Sequence, residues 1–196
     1  MDWVTTSTLL DRLRDFQNQS AWGQFAERFR TPLISFARKM GLTGADAEDA
    51  AQEILLTFAQ KYRNGDYNPS KGRLSNWLFG IAYRQILGAR RKLGRQRAKG
   101  AAGADTSFWA ALPGEDEAAR QWDREWEQAL FRQCLQRVRG EVKSTTLRVF
   151  ELLVLGKRPA DEVAAELGMT RNAVFVAKHR VLSRLRALRS GWEDLA

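Results

Sequence analysis

The chain has 196 residues and a mass of 22.3 kDa, and its 32 Lys and Arg against 23 Asp and Glu give a net charge of +9 and a pI near 10.2. That length suits one large domain or two small ones, and the basic balance points to an anionic partner. With 44% hydrophobic residues and Cys134 as the single cysteine, a disordered basic tail, a disulfide framework and a cysteine-rich zinc site are excluded.

Periodicity is helical nearly throughout, and no stretch alternates long enough to argue a sheet, so an all-α protein is expected. Ser20 or Ala21 opens a helix carrying Trp22, Phe25 and Phe29, and Thr31-Pro32 is expected to restart it ahead of Leu33, Ile34, Phe36 and Met40, with Gly41 as the stop. Thr43, three residues before Asp46, resembles a capping box. Ala47, Ala51, Ile54, Leu55, Phe58 and Tyr62 then share one face of a helix that ends at Asn64-Gly65. After a loop of turn residues, Asp66 to Gly72, a long helix begins with Leu74, Trp77, Leu78, Ile81 and Ala82 and is expected to stop at Gly94.

From Gly94 to about Glu115 the composition shifts to Gly, Ala, Arg and Ser with Pro113, which reads as a flexible linker in which Trp109 could dock. Trp122, Trp126, Ala129, Leu130, Cys134 and Val138 then form one stripe of a helix from about Asp116 to Arg139. Ser144 is expected to cap a helix that holds Leu147, Phe150, Leu153 and Val154 and ends at Gly156. The charges follow the same division. Residues 1–93 carry 14 basic and 9 acidic side chains, residues 94–125 carry 5 and 6, and residues 126–196 carry 13 and 8. Two small helical domains, 1–93 and 116–196, joined by a linker over 94–115, are therefore expected. No apolar run approaches the roughly 20 residues that span a bilayer. There is no signal-peptide pattern at the amino end, so no membrane partner and a cytoplasmic location are expected.

The segment from Arg158 to Val174 reads as helix, tight glycine turn, helix, the helix-turn-helix plan. Pro159 suits a first helical turn, Gly168 the left-handed turn residue and Thr170 the cap of a second helix, whose Val174, Ala177, Val181, Leu185 and Leu188 face inward. The other face presents Asn172, Val176, His179 and Ser183, flanked by Arg171, Phe175, Arg180 and Arg186. Arg171 and Asn172 are shaped for guanine and adenine edges, Phe175 or Val176 for a thymine methyl. Lys157, Arg158, Lys178, Arg180, Arg184 and Arg186 suit phosphates. An ordinary helical hairpin with a solvated basic face is the competing reading. His179 is the only histidine, and no metal or cofactor is expected.

Inside the basic first half, Asp46 to Glu53 is a concentrated acidic start to a helix, part of which is dipole-compatible capping. Asp49, Gln52, Glu53 and Leu56 recur at spacings of three and four, opposite Ile54 and Phe58. They form an outward patch that fits either a docking surface or a solvated face. Lys71 to Arg84 interleaves basic and aromatic residues, a mixture suited to single-stranded DNA. Trp77 and Phe79 fit a core equally well, and Tyr83 beside Arg84 is the better candidate for exposure.

In this order the segments Asp46 to Glu53, Lys71 to Ala82 and Pro159 to Leu188 resemble the extracytoplasmic-function (ECF) class of bacterial sigma factors, which carry only sigma regions two and four. The resemblance implies that Asp46, Asp49, Gln52, Glu53 and Leu56 bind core RNA polymerase at the clamp helices of its largest subunit, with the polymerase flap as a further contact. It implies that Lys71, Arg73, Asn76, Trp77, Tyr83 and Arg84 hold the minus-ten element of promoter DNA. Lys157, Arg158, Arg171, Asn172, Phe175, Val176, His179 and Arg180 would meet the minus-thirty-five element. The linker would thread toward the polymerase active-site channel and RNA exit path, and control would come from a separate chain such as an anti-sigma factor, from phosphorylation or from expression level. Arg84 and Gly88 stand where the family often has Asn and Asp, and Phe175-Val176-Ala177 where many members have Lys-Ser-Arg.

The rival readings are a stand-alone helix-turn-helix regulator that binds duplex DNA as a dimer, an adaptor that binds polymerase without opening DNA, and a nucleic-acid enzyme. The last lacks paired carboxylates in a metal-binding arrangement, a Ser-His-Asp set and a phosphate loop, so a non-enzymatic protein is expected.

Overall fold

The computed structural model describes residues 6–100 and 113–193. Among them every regular element is helical: α1 (Thr6–Leu13), α2 (Gln19–Lys39), α3 (Gly44–Arg63), a short 3-10 turn (Pro69–Lys71), α4 (Leu74–Gly100), α5 (Glu115–Glu141), α6 (Ser144–Phe150), one wide turn (Glu151–Leu155), α7 (Ala160–Leu167) and α8 (Arg171–Glu193). The chain divides into two compact units, the first ending at Ala129 and the second running from Leu130 to Glu193.

Asn18 fixes the start of α2, its Oδ1 accepting from the Ala21 N–H at 3.0 Å, so the helix begins just before the expected Ser20. Nor does the helix restart at Thr31-Pro32. Pro32 lies inside one continuous helix, because Phe25, Phe29, Leu33 and Phe36 bury both halves against the same core and outweigh the roughly 3 kcal/mol proline penalty. Thr43 does occupy the cap position of α3, but its side chain makes no cap hydrogen bond. Gly94 does not stop α4, which runs on to Gly100. One internal glycine costs only about 1 kcal/mol against the good helix formers around it. The expected linker is thus helical at both ends, over 94–100 and again at Glu115, while Trp109 lies outside the described residues.

The first core is aromatic. Phe25 stacks on Phe58 with centroids 4.2 Å apart, and Leu33, Phe36, Ile54, Leu74, Leu78 and Ile86 are fully buried around them. Into this core α5 sends Ala118, Trp122 and Trp126. Trp126 stacks on Phe29 at 5.1 Å, Trp122 meets Phe36 edge-on at 5.3 Å, and the Trp122 indole N–H donates to the Ser75 carbonyl at 3.1 Å. Residues 118–126 thus pack in the first core, although they follow the expected linker. The tryptophan stripe has helical spacing, but spacing does not say which core the stripe enters.

In the second unit, Val149, Phe150, Val163, Val174 and Val181 are buried. α6 begins at Ser144 behind Lys143, whose side chain makes no cap bond, and the wide turn after it closes at Gly156 as expected. Pro159 precedes the first helical residue of α7 and does not stand within its first turn. Gly168 takes the left-handed conformation that a β-carbon disfavours, φ 61° and ψ 34°, and Thr170 Oγ1 accepts from the Ala173 N–H at 3.2 Å to start α8. Val174, Ala177, Val181, Leu185 and Leu188 are all buried, as the pattern requires. No helix among the described residues is long and apolar enough to cross a membrane.

Candidate polymerase and promoter interfaces

The acidic opening of α3 sorts into three environments. Glu48 is tied to α2 by Arg30 at 3.0 Å, and Asp46 is half-buried in the first turn. Asp49, Gln52 and Glu53 are exposed and engage no hydrogen-bond or ion-pair partner among the described residues. Leu56, 51% exposed, extends the same face, while Ile54 and Phe58 opposite are fully buried. The outcome is an apolar residue beside two carboxylates and an amide, on a helix rigidly held from behind.

In the segment after α3, Asn68 Oδ1 accepts from both Ser70 N at 2.9 Å and Ser70 Oγ at 2.8 Å, which fixes the short turn Pro69–Lys71. Lys71, Arg73 and Asn76 are exposed around it. Trp77 is half-buried, meeting Phe58 edge-on at 5.2 Å and Tyr67 at 5.0 Å, so it serves as core on one side and surface on the other. Tyr83, also half-buried, stacks on Phe79 at 5.6 Å. Arg84 is exposed and lies back along its own helix, its Nε–H donating to the Gly80 carbonyl at 2.8 Å. Tyr67 escaped the sequence reading because it is a lone aromatic among turn residues, yet it bridges Tyr62, 6.1 Å away, and Trp77. Burial, then the neighbouring Tyr62, pushes the Tyr67 phenol above its ordinary value. Burial likewise raises Tyr62, whose hydroxyl donates to the Leu10 carbonyl at 2.8 Å.

On α8, Asn172, Val176, His179 and Arg180 are exposed on one side, with Val176 51% exposed. Phe175 is half-buried beneath two cations, the Arg171 guanidinium carbon at 5.8 Å and Lys178 Nζ at 5.4 Å from its ring centre. Arg171 also pairs through Nε with Asp161 of α7 at 3.4 Å. Lys157 is exposed with a positive φ of 52°. Arg158 is engaged by Glu162 at 3.6 Å and closely by Glu166, and the Glu166 hydrogen bond raises its pKa above the ordinary guanidinium value. Arg184 differs from the phosphate contact expected of it. Glu141 of α5 accepts from it twice, once at 3.1 Å and once more closely, and Arg137 approaches the same carboxylate at 2.6 Å. The Arg184 hydrogen bond holds Glu141 below the ordinary carboxylate range, and Arg184 is raised in turn. Among the described residues no group of three or more His, Cys, Asp or Glu is placed to hold a metal ion.

A helical first unit with a rigid acidic face, followed by a helix-turn-helix, defines a DNA-binding transcription factor. Comparison with known proteins narrows that class. Residues 25–96 match the Sigma-70 region 2 family. The chain is 25% identical over 185 residues to the ECF RNA polymerase sigma factor RpoE of Cereibacter sphaeroides, which covers 94% of this chain and 93% of that protein. It is 31% identical over 177 residues to the ECF RNA polymerase sigma factor SigD of Mycobacterium tuberculosis, covering 86% and 77%. The chain belongs to the ECF RNA polymerase sigma factors of the sigma-70 family. It directs transcription initiation, acting with core RNA polymerase on promoter DNA.

Proposed function

We propose that the outward face of α3, with Asp46, Asp49, Gln52, Glu53 and Leu56, docks on the clamp helices of the largest polymerase subunit, and that the second unit meets the polymerase flap. The observation that carries this reading is the pairing of exposed Leu56 with Asp49 and Glu53 on a helix whose reverse side is fully buried. Leu56 gives this charged face an apolar contact of the kind found at the centre of protein interfaces. Lys71, Arg73, Asn76, Trp77, Tyr83 and Arg84 hold the minus-ten element, supported by the stiff turn around Asn68 and the aromatic run from Tyr62 to Trp77.

The helix-turn-helix reads the minus-thirty-five element through Arg171, Asn172, Phe175, Val176 and His179. Lys157 and Arg180 lie toward phosphate, and Arg158 joins them by exchanging Glu162 and Glu166 for the DNA backbone. Region two then ends within α5, near Ala129, and region four occupies Leu130–Glu193. The protein acts in the cytoplasm, without enzymatic chemistry of its own, and its regulator is a separate chain such as an anti-sigma factor. The test is association of the Asp49→Lys/Glu53→Lys variant with core polymerase. Both residues are exposed, so helical content should be unchanged while association is lost. Co-purification at the wild-type yield would contradict the reading.

A further inference from the structure

Each of the three carboxylates of α7 faces an arginine: Asp161 pairs with Arg171, Glu162 with Arg158, and Glu166 with Arg158 and Arg148. Only the first of these arginines is the opening residue of α8, where side chains reach base edges most directly. We propose that Asp161 is a positioning residue for promoter specificity, fixing the Arg171 guanidinium so that it presents its two terminal nitrogens to one base of the upstream element. This inference rests on the reading of α8 as the recognition helix and deepens it.

The geometry has two independent parts. The Asp161 carboxylate approaches Arg171 at Nε, the inner nitrogen, at 3.4 Å. A contact at Nε leaves the two outer nitrogens as the donors for a base, the fork that matches the adjacent acceptors of guanine. The guanidinium carbon also lies 5.8 Å from the centre of the Phe175 ring, one turn further along the same helix. A carboxylate at one edge and a ring beside the planar group together restrict a side chain that otherwise samples many rotamers. Lys178 approaches the same half-buried ring at 5.4 Å.

The exposure of the pair decides what it is for. The side chains of Arg171 and Asp161 are 64% and 72% exposed, and an ion pair that open to water contributes little to folding. A negative charge beside a DNA-binding helix also repels phosphate, so Asp161 weakens general affinity. Setting Arg171 before DNA arrives is the contribution that remains, because it removes the ordering cost of a long side chain at the moment of binding. On DNA, therefore, Asp161 lowers affinity for every sequence and raises discrimination at one position.

The experiment uses holoenzyme and a promoter library randomised across the upstream element, comparing wild type with Asp161→Asn, Arg171→Ala and the double variant. Arg171→Ala should flatten the preference at one base position. Asp161→Asn should reduce preference at that same position by about 2- to 5-fold, the range an exposed ion pair can supply, with no loss on non-cognate promoters. The double variant should be no worse at that position than Arg171→Ala alone. If Asp161→Asn leaves the preference at the Arg171 position intact, or changes all sequences in parallel and nothing more, the positioning role is overturned while the recognition helix stands. If Arg171→Ala leaves every position unchanged, Arg171 reads no base and the proposal for Asp161 is overturned; if Asn172→Ala, measured beside it, also leaves every position unchanged, the reading of α8 itself fails.

Discussion

Arg90 looks in the sequence like one of three basic residues ending a helix, but it is only 4% exposed and its Nη1 donates to the Met40 carbonyl at 2.7 Å, closing the end of α2. Gly41 makes room for it. The backbone there has φ +89°, and a β-carbon would come within 2.9 Å of the same nitrogen. Arg90→Leu leaves a buried carbonyl without its charged donor and should destabilise the first unit by about 1–3 kcal/mol. Gly41→Ala combines a left-handed backbone with the close approach and should cost on the order of 1–3 kcal/mol as well. Urea denaturation checks both, and wild-type midpoints in either variant would refute the packing described. Neither role was legible in advance, because a buried arginine and an exposed one read alike in a run of basic residues. Trp77 shows the same limit: its spacing left burial undecided, and the ring is half-buried against Phe58 and Tyr67.

Among the elements, α7 and α8 were the most legible, because Gly168 and Thr170 are chemically suited to the turn and cap they occupy and the inward stripe of α8 follows a 3.6-residue period. What the pattern could not supply was the tether from Glu141 to Arg184, which joins residues 43 apart in sequence. The carboxyl of Glu141 is lowered in the folded chain, chiefly by the Arg184 hydrogen bond, so it binds its proton less readily there than when unfolded. Its contribution to stability is therefore present above the ordinary value of 4.5 and is lost as pH falls through the lowered one. Glu141→Gln should melt below wild type at neutral pH, and the gap should close in acid beneath the lowered value. A gap that persists unchanged in strong acid would show that the ion pair is not its source. Thermal unfolding of both proteins across that range makes the comparison.

For the whole molecule, all-helical architecture and two bodies were legible from periodicity and charge, but which core the tryptophans of α5 enter was not. Trp122 and Trp126 of α5 complete the first core, with Trp122 only 1% exposed. Trp122→Ala should accordingly cost about 3–5 kcal/mol in the first unit. A fragment ending at residue 93 should unfold well below one ending at residue 129, as followed by circular dichroism; equal melting of the two fragments would return the boundary to residue 116. The outward face of α3 was legible as a pattern, with Leu56 exposed beside Asp49 and Glu53 over a buried reverse side.

If this chain works as a sigma factor, through polymerase, promoter binding and opening measured with and without core RNA polymerase must differ. The chain alone should bind weakly and with strong salt dependence, and specific binding with strand opening should follow once core is added. Tight, sequence-specific binding of duplex DNA by the chain alone, unchanged when core polymerase is supplied, would contradict it.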